Sequence, residues 1–135
     1  MSSQQPHTHR SAQAGNISVE AAFLLPILMV LVLAFIDISR YYWTHTVVSS
    51  ASAEAARLAV LFEPADSAVT ACAVNRVRNG GISAVPTVQI GQRAANQPVS
   101  VTVSVGFDFL TLSQISPDIL GHRTISATSV MIHQP

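Results

Sequence analysis

The 135-residue chain has no lysine, one cysteine and one tryptophan, and only a tenth of its residues are charged. A charged share so far below the usual quarter argues against an ordinary soluble domain. Seven arginines balance seven acids, so the net charge is zero. With no basic patch to displace phosphate counterions, nothing points to a nucleic-acid partner. A single cysteine, Cys72, excludes an intramolecular disulfide framework and a multi-cysteine metal site, and reads as a small core residue. Catalytic groupings are missing too. No serine sits in a nucleophile elbow, and Gly80-Gly81 is too little for a phosphate loop. Glu54, Glu63, Asp66, Asp108 and Asp118 are scattered, as are His45, His122 and His133. Asp118 and His122 are four apart, but Pro117 and Gly121 argue against a helix that presents them together. His7 and His9 alternate with nothing nearby to complete a metal site. The expectation is a protein that is not an enzyme and needs neither cofactor nor metal.

What the chain does have is one long apolar run. Ala21 to Ile36 is sixteen residues without a charge, or about 24 Å of helix against a hydrocarbon core of ~30 Å. Ile17 to Val19 on one side and DISRYYW on the other extend it to spanning length. Tyr41, Tyr42 and Trp43 form an aromatic cluster suited to a headgroup interface, and Asp37 and Arg40 are spaced to pair on one helix face. A single transmembrane helix over 16–43 follows. Pro26 lies inside it, removes one backbone donor and crowds the carbonyl of Ala22, which predicts a kink. Arg10 precedes the run with no acid before Glu20, so the positive-inside tendency puts the N-terminus in the cytoplasm.

After the span the helical period continues to about Phe62. Val47, Ala51, Ala55, Leu58 and Phe62 form an apolar stripe, with Ser49, Ser52, Glu54 and Arg57 opposite and Glu54 close enough to pair with Arg57. Pro64 ends the helix. A second helix over 66–78, capped by Asp66 or Ser67, puts Val69, Cys72, Ala73 and Val77 on one face and stops at Asn79-Gly80-Gly81. The period then switches to two. PVSVTVSVGF alternates strictly, which predicts a half-buried strand over 98–108. Shorter evidence marks strands over 86–91, with Val88 and Ile90 inward, and 123–132, with Ile125, Ala127 and Met131 inward. LTLSQISPDILG reads as a connector. The fold class is an α+β membrane protein: a long N-terminal helix, a short second helix and a small antiparallel sheet of three strands whose apolar face covers the helical stripe.

Glu20 at the mouth of the apolar run is costly. An acid at the bilayer centre costs roughly 2.5–3.5 kcal/mol, and less near the end of a span. Gly15 followed by NISVE and then AAFLLPILMVLVLAFIDISR resembles the start of a TadE-like pseudopilin, a minor pilin-like protein of the tight-adherence (Tad, Flp pilus) system. The matching features are Gly15, Glu20 five residues on, the early Pro26, and the exit from Asp37 to Tyr42. Ala21 departs from the phenylalanine that the family often has there. The strand-rich tail resembles the family pattern more loosely.

The resemblance implies that a membrane aspartyl prepilin peptidase cuts between Gly15 and Asn16. Residues 1–15 would be a leader, polar and disordered in 1–14, and residues 44–135 an extracytoplasmic pilin-like head. Cleavage would create an α-ammonium that a neighbour's Glu20 can pair with, offsetting the desolvation of both. The implied partners are other pilins and pseudopilins, the inner-membrane assembly platform, the peptidase and membrane lipid. The competing reading is an uncleaved single-pass anchor that carries a binding or sensory domain.

Overall fold

A computed structural model describes residues 9–61, 64–93 and 97–132, with side chains from Ser18 onward except at 115 and 119. Residues 1–8 of the expected leader, Phe62 as the expected helix end, Glu63 and His133 lie outside the described residues. The order of elements is α1 (His9–Ala59), α2 (Asp66–Asn79), β1 (Thr87–Ile90), β2 (Pro98–Asp108), α3 (Leu112–Ile115), α4 (Pro117–Leu120) and β3 (His122–Ile132). The chain divides into two compact units at Ile36 and Asp37.

In the first unit α1 begins at His9 rather than after Gly15. The expected disorder therefore does not extend over His9 to Ala14. A helix once nucleated extends at little cost, and Arg, Ala and Gln are good helix formers. The helix is continuous through Pro26. Phe23, Leu24, Leu25, Met29 and Val30, which together point all round the helix, are exposed. A helix that is apolar on every face needs an apolar surrounding. α1 contains one stretch long and apolar enough to cross a membrane.

The second unit is a helix layer on a three-stranded sheet. Its core joins Val48, Ala51, Ala55, Ala56 and Ala59 of α1, Val69, Ala73 and Val77 of α2, alternate residues of β2, and Ile125 of β3. Alanines on the α1 stripe let the other elements approach closely, since interaxial distance follows side-chain size. The sheet is antiparallel with order β1-β2-β3. Val99, Val101, Val103, Val105 and Phe107 are buried at every second position of β2, as the alternation predicts. Val88 and Ile90 sit opposite Val103 and Val101, while Ala127 and Ile125 sit opposite Val103 and Val105.

Local details depart from expectation at four places. Neither Asp66 nor Ser67 caps α2: Ala65 occupies the cap position with no side-chain bond. Asp66 instead accepts from Arg93 at 2.6 Å, and Arg93 also donates to the Pro64 carbonyl. The guanidinium, which carries a full charge where a backbone N–H carries only a dipole, takes the carboxylate that a cap would use. Glu54 pairs across to Arg76 of α2 at 3.4 Å, not with Arg57. Ser52 is buried, not on the polar side. It lies one turn from Val48 on the same stripe, donates to the Ser49 carbonyl, and meets the Ser129 hydroxyl of β3 at 2.9 Å. One hydroxyl has one proton, so Ser129 donates in that pair. The connector, finally, contains α3 and α4, with Pro117 at the start of α4, where its missing N–H costs nothing.

Candidate processing and assembly site

Gly15 and Asn16 lie within α1, so the peptide bond between them has helical backbone. Glu20 lies five positions after Gly15, about 7.5 Å along the axis. Asn16 and Glu20 are four apart and therefore share one face of the helix. The Glu20 side chain is exposed, as is Pro26. Glycine is the weakest helix former after proline, so Gly15 weakens the helix at the predicted scissile bond.

At the start of the second unit sits a constellation that the sequence did not disclose. Asp37, at 1% exposure, is the most deeply buried charged residue among those described. Its Oδ2 accepts the backbone N–H groups of Thr111 at 2.7 Å and Leu112 at 3.1 Å. Its Oδ1 accepts the N–H of Leu110 at 3.1 Å. Arg40 donates to Oδ1 at 3.3 Å, so the pair expected from spacing does form, as the lesser part of a larger arrangement. Three successive amides supply the dipoles that make a buried carboxylate tolerable. The Arg40 guanidinium also lies 5.4 Å from the centre of the Phe107 ring.

The three residues of the aromatic cluster differ in what they contact. Tyr41 packs edge-on against Phe107 at 5.8 Å and parallel to Phe109 at 6.0 Å; these two rings meet each other edge-on at 5.0 Å. Trp43 donates its indole N–H to the Gly80 carbonyl at 3.0 Å. Tyr42 is exposed. The signal for this arrangement was GFDFL at the end of β2, whose two phenylalanines need an aromatic neighbour, but nothing local says which one.

Of the scattered titratable groups, His122 accompanies Asp108, at 2.8 Å across β2 and β3, rather than Asp118. Burial pushes the Cys72 thiol above its ordinary range, and the negative charge of Glu54 adds to the shift.

The family model of TadE-like protein matches residues 15–57. The chain carries a TadE-like segment. That segment begins at the glycine singled out above and ends two residues before α1 does. It is consistent with a TadE-like protein of the Tad pilus system. Asp37, Arg40 and Tyr41 lie inside the TadE-like segment; the three strands lie beyond it, so the looser resemblance of the tail gains nothing from the match. No curated protein and no solved structure matches the chain.

Proposed function

We propose that this chain is a minor pilin that primes or assists assembly of a Tad-type (Flp) pilus used in adhesion. The observation that carries the reading is that the TadE-like match starts at Gly15, five positions before an exposed Glu20 and an apolar helix. A prepilin peptidase cuts between Gly15 and Asn16 after the helix opens locally at the glycine. The new α-ammonium at Asn16 and the Glu20 carboxylate then share a face, where each can pair with its counterpart on a neighbouring subunit. The apolar stretch resides in the bacterial inner membrane, with the leader cytoplasmic and the head extracytoplasmic. Partners are other pilins and pseudopilins, the assembly platform and the peptidase. The role is structural and not catalytic.

Mass spectrometry of the protein made together with its peptidase tests this. Loss of residues 1–15, with Asn16 as the new N-terminus, is the expected result. An intact Met1 under those conditions overturns the pilin reading in favour of an uncleaved anchor.

A further inference from the structure

Within the second unit a cleft of about 510 Å³ opens between α1, the loop after α2 and the end of β2. Its volume is in the range of small-ligand sites. Arg40, Trp43, Ser83, Phe107, Asp108 and Leu110 are among the residues that line it. Two opposite charges face this cleft without pairing with each other: Arg40 pairs with Asp37, and Asp108 with His122. Neither partnership exhausts its group. Among the described residues, Arg40 uses one of its five N–H donors, on Asp37, and lies over the Phe107 ring. Asp108 meets the His122 Nδ1 at 2.8 Å through Oδ1, and among the described residues its Oδ2 has no hydrogen bond. The Arg40 and Asp108 side chains are 43% and 71% exposed.

The cleft begins close to where the apolar run ends. Asp37, the residue after Ile36, accepts the N–H groups of Leu110, Thr111 and Leu112 and so holds Leu110 beside the first residue past the run. Leu110 is largely exposed, an apolar side chain next to charged groups. α1 continues without a break, and Arg40 and Trp43 follow Ile36 by four and seven positions, about 6 and 10.5 Å of helix. A headgroup layer is about 5–7 Å deep on each side of the hydrocarbon. The charge-free run, at about 24 Å, is also shorter than the ~30 Å hydrocarbon core, which draws the residues after it inward. With the apolar stretch in a membrane, Arg40 and Trp43 therefore stand at headgroup depth.

We propose that this cleft binds the headgroup of an ethanolamine phospholipid from the surrounding bilayer. The phosphate accepts from the unused N–H groups of Arg40, whose planar fork suits a phosphate. The ammonium donates to Oδ2 of Asp108 and lies against the ring of Trp43, the aromatic side chain that attracts cations best. A zwitterion is what the two charges select. A headgroup with phosphate alone leaves Asp108 facing an anion, and a simple cation leaves Arg40 facing its own sign. A quaternary amine has no N–H to give Asp108. The source is a lipid and not a free solute, because the cleft starts within two turns of the apolar run and has the exposed Leu110 beside it to meet the lipid's apolar part. The inference shares with the proposed function only the membrane placement of the apolar stretch. It requires neither leader cleavage nor a filament, so the mass of the processed chain and the test below succeed or fail independently.

The test follows the emission of Trp43, the sole tryptophan and a wall of the cleft, in the full chain held in nonionic detergent micelles. The micelles are doped with rising mole fractions of phosphatidylethanolamine or, separately, of phosphatidylglycerol with the same acyl chains. A saturating change is expected, reached with the ethanolamine lipid at about fivefold lower mole fraction, the gain of a partly exposed ion pair and a cation–ring contact. Asp108→Asn should abolish that preference, and Arg40→Gln should weaken the response to both lipids. If Arg40→Gln fails to fold for want of the Asp37 partner, Asp108→Asn and the comparison of the two lipids decide the matter, since Asp108 is exposed and outside the core. No saturating response, equal response to the two lipids, or a preference that survives Asp108→Asn overturns the proposal. Free phosphoethanolamine that acts at the same bulk concentration as the lipid would overturn the assignment to a bilayer lipid.

Discussion

Asp37 gathers four donors on two oxygens, three of them from residues more than seventy positions away. Replacing one oxygen with an amide nitrogen in Asp37→Asn sets a donor against donors and leaves buried N–H groups unanswered. The expected cost is about 2 kcal/mol of stability. Urea unfolding of the full chain in detergent would check it by following Trp43, the sole tryptophan. A loss below half that figure means the loop amides find water instead. Cys72 gives a prediction in pH. Because burial raises its pKa above the ordinary 9.0, less reactive thiolate is present at any pH below that value. Maleimide labelling at pH 8 should therefore be slower than for an exposed thiol, and should still be accelerating as pH passes 9.0. A rate that levels off below pH 9 contradicts this.

Between elements, the end of α2 depends on two glycines for different reasons. Gly81 has φ of +79°, a left-handed conformation that side chains disfavour. Gly80 has an ordinary φ of −73°, so there the glycine serves space. A Cβ on Gly80 would lie 2.5 Å from a methyl carbon of Val47 on α1. Gly80→Ala is expected to lose about 1–3 kcal/mol through overpacking. Val47→Ala should recover much of that loss, and a double-mutant cycle of melting temperatures measures the coupling. Strictly additive losses would mean the helices simply separate. By contrast the Glu54–Arg76 pair joins the same two helices but is about half exposed on each side, and contributes little.

For the molecule as a whole, the apolar stretch of α1 and the head call for different solvents. The first has no buried face in the chain alone, and the second closes its own core. A carboxylate at the start of the apolar stretch makes sense where a cation meets it. Under the proposed function, Glu20→Ala is cut normally but enters pilus assemblies at least about tenfold less well, the loss expected for a partly desolvated ion pair. Immunoblots of sheared pili and membranes from the same cells provide the comparison. Equal incorporation would remove Glu20 from the assembly contact.

Reading the chain by period located the long helix, the short second helix and all three strands, because periodicity is a local property that each segment expresses in its own residues. β2 is the plainest case: its valines alternate in the sequence and are buried in that same alternation. The apolar stretch was equally legible, being contiguous. What distance along the chain concealed was partnership. Nothing near Asp37 reveals that its acceptors would be filled from Leu110 to Leu112, nor anything near Asp66 that Arg93 would take it from the helix cap. Nothing local to Ser52 told that a serine on β3 would let it enter the core. The short helices of the connector escaped notice because four residues hold barely one helical turn, too few to show a period. Local pattern fixes which faces must be covered; packing alone selects what covers them, because burial and hydrogen-bond completion are settled among groups that meet only when the chain has closed.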